Sequence, residues 1–117
     1  MARDAQLQLL AGLAAEQQIS SIMEAPYGET PNWAGEEAIG AMLSPPRLNS
    51  SGTTIRESLG PAFSQLGRTT TVVAETRTFA TYSNFAVPGW RIEVTVRDAA
   101  NRVYAQIVRF RAQEVEP

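Results

Sequence analysis

The sequence contains no cysteine, no histidine and no lysine. Without cysteine there are no disulfides and no thiol chemistry, and the redox compartment stays open. Without histidine the chain lacks the side chain that titrates near neutral pH and is the commonest metal ligand. Zinc sites of the ordinary Cys/His kind are therefore excluded. Catalysis would have to rest on carboxylates, so the residues read as those of a protein that is not an enzyme and takes no cofactor or metal. All ten basic residues are arginine, a bias read first as codon usage in a GC-rich genome. No run of about 20 apolar residues is present, so the chain as given cannot span a bilayer. It also lacks a basic-then-apolar signal sequence at its start. Met-Ala-Arg-Asp leads abruptly into a helical pattern, compatible with a start trimmed of an upstream segment and equally with a natural one.

What is present suits one compact folded domain spanning 1–117. A hydrophobic fraction of 44% against 19% charged residues is that of a globular chain, not a disordered one. A net charge of -2 argues against a nucleic-acid partner, which calls for a basic excess.

Residues 3–25 carry good helix formers and no proline, and Pro26 sets the end of a long helix. At about 100° per residue its apolar side chains split into two groups. Ala11, Ala15, Ile19, Ile22 and Met23 share one side, while Leu9, Leu10 and Leu13 point elsewhere. A helix docked on a single core should carry one stripe. The second half is thus expected to dock on its own domain. Leu9, Leu10 and Leu13 are the candidate contacts to a partner.

Residues 26–67 read as an irregular segment with short helices. Tyr27 to Asn32 is expected as a loop, and its aromatic neighbours Tyr27 and Trp33 as loop anchors. A helix is expected over Trp33 to Leu43, with Asn32 as N-cap and Glu36 and Glu37 at its positive end. Pro46 to Gly52 reads as open loop. Thr54 and Glu57 have capping-box spacing. Pro61 to Leu66 reads as a last helical turn, ended by Gly67 as a left-handed cap.

From Arg68 to Ala112 the chain turns β-branched and aromatic, predicting an antiparallel sheet. In Thr69 to Tyr82 the uncharged even positions, Val72, Ala74, Thr76, Thr78, Ala80 and Tyr82, are expected on the buried face. Ser83 to Gly89 is expected as a loop, with Pro88-Gly89 at the centre of a type II turn. Trp90 to Arg97 alternates cleanly and pairs with Arg102 to Arg111. Asp98-Ala99-Ala100-Asn101 fits a type I turn followed by a left-handed Asn101. That register sets Val96 opposite Tyr104, Val94 opposite Gln106, Ile92 opposite Val108 and Trp90 opposite Phe110, and points Arg109 and Arg111 to water. A slip of one residue would turn both arginines inward. Gln113 to Pro117 is expected to fray. The whole is α+β: a long N-terminal helix packed on an antiparallel meander of three to four strands.

Candidate chemistry is sparse. Glu36-Glu37 reads as charge at a helix end. Glu75 and Glu93 could meet on the sheet's solvent face beside Arg77, Arg91 and Arg109, where cross-strand pairing accounts for them without a site. The arginine-rich last hairpin has Tyr104 on its buried face, which removes a platform for stacking bases. No glycine-rich phosphate loop follows a strand.

Leu-Leu-Ala-Gly-Leu-Ala-Ala-Glu-Gln-Gln-Ile-Ser-Ser-Ile-Met-Glu-Ala-Pro-Tyr-Gly, Leu9 to Gly28, resembles the segment just after the membrane part of prepilin-like proteins. That group includes type IV pilins and the pseudopilins of type II secretion. The closing Trp-Arg-Ile-Glu-Val-Thr-Val and Val-Tyr-Ala-Gln-Ile-Val-Arg-Phe-Arg are similar to the family's last strands, and the order of elements matches. The family's hydrophobic helix with its early glutamate is not in this sequence. The resemblance implies a non-enzymatic subunit of a pilus or secretion pseudopilus, on the periplasmic or extracellular side of a bacterial envelope. Other subunits would be contacted through the N-terminal helix, and a membrane only through a missing upstream segment. Two other readings stand beside it. One is a soluble structural or adaptor protein of another assembly, such as a phage particle. The other is a small ligand-binding or enzymatic α+β domain using Glu75, Glu93 and the arginines.

Overall fold

The computed structural model describes residues 2–79 and 85–113. Helix α1 runs Ala2–Glu24, as its composition and Pro26 require. A four-stranded antiparallel sheet, ordered β1-β4-β5-β6, is built from Gly35–Glu37, Leu66–Phe79, Phe85–Asp98 and Val103–Ala112. A small separate hairpin joins β2, Arg47–Leu48, to β3, Thr54–Ile55. The fold is α+β, with α1 laid on one face of the larger sheet.

The core lies in that layer. From α1 it takes Leu7, Ala11, Ala14, Ala15, Ile19 and Ile22, and from the sheet Leu66, Ile92, Val94 and Val96, with Met42 from the connecting segment. Three alanines in the contact let the helix axis lie close to the strands, and each larger side chain stabilises by roughly 1.5–3 kcal/mol on burial. Met23, expected among the docked residues, is 42% exposed. It lies just past Ile22 in the last turn, where 100° of rotation takes it off the buried face.

The irregular segment differs most from expectation. Tyr27–Trp33 forms a 310 helix, and Asn32 sits inside it instead of capping a following one. The expected helix over Trp33 to Leu43 does not form: beyond Trp33, which ends the 310 helix, Gly35–Glu37 is β1, paired with Thr70, Thr69 and Arg68 of β4, and Gly40 takes a φ of 80°. Neighbours in a strand face opposite ways, so Glu36 reaches Arg97 on one face and Glu37 reaches Arg68 on the other. Each carboxylate gains a guanidinium that a helix could not give both. Thr54 caps nothing. It is strand, and Glu57 instead pairs with Arg47 across the small hairpin. The connecting loop is held by Asn49, whose Oδ1 accepts the Ser51 and Thr53 amides, both at 2.9 Å. Pro61–Phe63 does make a 310 turn, but Gly67 is a strand residue. A Cβ there would lie 2.9 Å from the Glu37 carbonyl, so close approach of β1 to β4 is what glycine serves.

Pro88-Gly89 is also strand and not turn. Pro88 pairs with Thr76 and Gly89 with Glu75. The Pro88 carbonyl accepts from the Gln113 amide just past the end of β6, so the proline's missing N–H falls at the margin of the β5–β6 ladder and not within it. Gly89 is buried beneath the Phe110 ring and the Arg111 carbonyl, which leave no room for a Cβ. Of the even positions of β4 expected on the buried face, Val72 is half-buried and Ala74, Thr76 and Thr78 are exposed; the buried even positions lie earlier in the strand, at Leu66, Arg68 and Thr70. Ala80, Tyr82, Ser83, Asn84 and residues 114–117 fall outside the described residues.

The last hairpin begins as its turn dictates. The Asn101 amide donates to the Asp98 carbonyl at 3.0 Å, the Asp98 amide to the Arg102 carbonyl at 3.0 Å, and Asn101 has φ 64°. Arg97 then pairs with Val103, but Val96 pairs with Ala105. Tyr104 is the extra residue of a β-bulge, and beyond it every pair shifts by one. Val94 faces Ile107, Ile92 faces Arg109 and Trp90 faces Arg111. The slipped register is therefore the one adopted past the bulge. Arg111 is buried, and Gln106 goes to the open face. Arg109 stays exposed near Glu16.

Candidate interaction surface

The α1 leucines separate once the helix is docked. Leu9 is 65% exposed and Leu13 56%. Leu10 is half-buried and packs on the core, so it belongs to the helix–sheet contact and departs from the other two. Leu7, not singled out by the sequence, is buried. Leu9 and Leu13, one turn apart, form a ridge along a groove of about 400 Å³. Gly12 and Gln8 lie on its helix side, and Ala105, Gln106 and Ile107 of β6 form the other wall. β6 pairs with β5 alone among the described residues, and Val103 and Val108 on it are exposed. An unpaired strand edge beside exposed leucines is a surface suited to docking another chain.

What holds the ridge in place is a pair of arginines, Arg68, which sequence reasoning did not single out, and Arg111, which it pointed to water. Arg68 is wholly buried under α1. Its guanidinium grips Glu37 through both carboxylate oxygens (2.9 and 2.7 Å) and donates to the carbonyls of Ala14 (2.9 Å) and Leu43 (3.0 Å). Glu37 also accepts the Leu43 amide at 2.8 Å. Arg111 serves the other end. It donates to the carbonyls of Ile22 (2.6 Å) and Ala25 and to the Thr30 hydroxyl (3.1 Å), with Tyr27 stacked 5.6 Å away. The last turn of α1 has no basic residue of its own, so a cation from β6 meets its negative end and its unpaired carbonyls. Lysine has no planar fork with which to span several acceptors at once. At these two positions the absence of lysine has a structural counterpart.

Glu75 and Glu93 do not come together. Glu75 stands opposite Gly89 and Glu93 opposite Thr71, a separation of four residues or roughly 13 Å along the ladder. Each is satisfied locally, Glu75 by Arg77 at 2.8 Å and Glu93 by Arg91 at 3.1 Å and Gln106 at 3.0 Å. Arg77 stacks 4.4 Å above Phe110. The space between helix and sheet is filled by the apolar core. Among the described residues no three acidic side chains are grouped to hold a metal, and no helix is long and apolar enough to cross a membrane.

A second cleft, of about 340 Å³, opens where α1, β1 and the stem of the small hairpin meet. Trp33, Gly35, Glu36, Gln18 and Arg56 line it. Arg56 stacks on Trp33 at 5.0 Å, donates from Nε to the Ser44 carbonyl at 2.8 Å and reaches Gln18 Oε1 at 3.3 Å. Gln18, itself buried, donates onward to Thr70 at 3.1 Å. Burial pulls the Arg56 guanidinium below its ordinary pKa, with Glu37 opposing and Arg68 adding to the shift. Trp33, expected only as a loop anchor, is thus also a wall of this cleft.

Comparison of the chain with protein-family models, with curated proteins and with solved structures finds no match in any of the three.

Proposed function

We propose that this chain is a non-enzymatic structural subunit of a pilus-like or pseudopilus-like filament, and that the Leu9–Leu13 ridge of α1 meets neighbouring subunits. The observation that carries this reading is the exposure of Leu9 and Leu13 on a helix otherwise anchored along its length. The polar fastenings of α1, through Arg68 and Arg111, lie on its docked side, so the ridge adds nothing to the fold that the core does not already supply. The resemblance of Leu9 to Gly28 to prepilin-like segments gives the type of assembly. Bacterial envelope placement follows from that resemblance alone.

The test uses Leu9→Glu with Leu13→Glu, in a chain carrying a prepilin-type hydrophobic segment upstream and expressed with filament-assembly machinery. Assembly into sheared filaments is expected to be lost while the thermal midpoint of the isolated domain stays unchanged. Filaments formed normally by the double variant would overturn the reading. Leu10→Glu is not the discriminating variant, because Leu10 packs on the core. Since the chain has no cysteine, Leu9→Cys reports neighbours directly. Cross-links between copies support the filament. Cross-links only to another protein favour an adaptor of a different assembly, a reading that the free edge of β6 along the same groove supports.

A further inference from the structure

Seven described arginines have a carboxylate within 4.0 Å. Arg56 has none, although it lies half-buried at the wall of a cleft. Its Nε and Nη2 are engaged, whereas its Nη1 donates to nothing among the described residues. The Trp33 ring beneath it fixes the plane of the fork. The two carboxylates that line the cleft with it are committed elsewhere, Glu37 to Arg68 and Glu36 to Arg97. A desolvated, oriented guanidinium with donors to spare is complementary to a carboxylate brought from outside.

The cleft has a second feature that a small anion would not need. β1 forms one of its walls and pairs only with β4, so its outer edge is open among the described residues. A side chain built at Gly35 would meet nothing within 4 Å, so the strand is uncrowded where it lines the cleft. An extended chain laid there can hydrogen-bond to the edge of the sheet. Its apolar side chains would meet Trp33 and Pro46, which also line the cleft.

We propose that this cleft binds an extended polypeptide segment bearing an acidic side chain, whose backbone pairs with the outer edge of β1 and whose carboxylate is taken by Arg56. This goes beyond the filament reading and does not rest on it, because the Leu9–Leu13 groove lies along β6 and shares no residue with this cleft.

The test is a titration of the ¹⁵N-labelled protein with the capped peptide Ac-Thr-Val-Glu-Val-Thr-NH₂, followed by NMR. Saturable shifts are expected at the amides of Ala34, Gly35 and Glu36 and at the Trp33 indole. Replacing the peptide's Glu by Gln is expected to weaken binding about tenfold, the scale of a charge-assisted contact. Methylating alternate peptide nitrogens is expected to weaken it at least as much. The protein is unaltered in these arms, so its folding does not enter the comparison. Arg56→Gln, checked by its thermal midpoint, should erase the difference between the Glu and Gln peptides. Absence of shifts at millimolar peptide, equal binding of the Gln peptide, or equal binding of the methylated peptide overturns the proposal. Sodium glutarate binding as tightly as the peptide also overturns it, in favour of a small-carboxylate site.

Discussion

The β4–β5 hairpin has two ends that behave differently although one ladder runs through both. At the covered end, Leu66, Arg68, Thr70, Ile92, Val94 and Val96 lie buried under α1. At the far end, Ala74, Thr76, Thr78 and Ala86 are exposed, although they continue the same alternation. The difference is one of length. Fourteen strand residues extend roughly 47 Å, against about 34 Å for a 23-residue helix. Alternation tells which side chains share a face. What covers that face is decided by another element.

The comparison predicts that truncations will be graded along the hairpin. Arg68→Ala should have the largest effect, about 3–5 kcal/mol by urea unfolding, because it leaves Glu37 facing the core without its partner. A loss below 1 kcal/mol would mean the pair contributes little. Arg111→Met should cost about 1.5–3 kcal/mol through its lost bonds to carbonyls, with faster amide exchange in the last turn of α1. Unchanged exchange there would remove Arg111 from the role of cap.

Asp98, at the covered end, provides an acid test. Its Oδ1 accepts the amides of Ala100 (2.9 Å) and Arg102 (3.0 Å), and its Oδ2 accepts Arg102 Nε at 3.0 Å. The Arg102 amide first, then the Arg102 side chain and the Ala100 amide, hold the carboxyl below the usual range against an opposing effect of burial. A carboxyl depressed on folding stabilises above its unfolded pKa, near 3.9, and that contribution fades as pH falls toward the folded value. The difference in thermal midpoint between wild type and Asp98→Asn should therefore be widest near pH 7 and shrink toward pH 3. A gap independent of pH would mean the charge is irrelevant. The smallest effect belongs to the exposed end: Thr76→Ala should stay within about 0.5 kcal/mol of wild type. A larger loss would show that the far end is covered after all.

The same contrast explains what the sequence could and could not convey. Helix α1, the alternation of Trp90 to Arg97 and the left-handed Asn101 are local matters, and each was legible from neighbouring residues. The bulge at Tyr104 was not. The local turn fits the unshifted register, and the gain from shifting lies at the carbonyls of Ile22 and Ala25, more than 80 residues away. The adjacent pair Glu36-Glu37 looks like helix charge until Arg68 and Arg97 are placed on either side of the strand. Leu9 and Leu13 were legible as a ridge, whereas Leu10 needed the core to be seen. The cleft of Arg56 and Trp33 carried no motif at all, since its walls come from a helix, a strand edge and a hairpin stem distant in sequence.

The reach of Arg111 to Ile22 spans 89 residues, and this sets the order of events during synthesis. Chains leave the ribosome N-terminal end first, so α1 appears before any strand that covers it. Most of the stability of a helix in a protein comes from packing of its apolar face, not from the helix alone. Ile19 and Ile22 have no cover until β5 is complete, and the helix end has no cap until β6 follows. Folding is thus deferred until β6 has emerged. A chain stalled before β6 presents an uncapped helix and an uncovered sheet, the state in which chaperones and proteases would meet it.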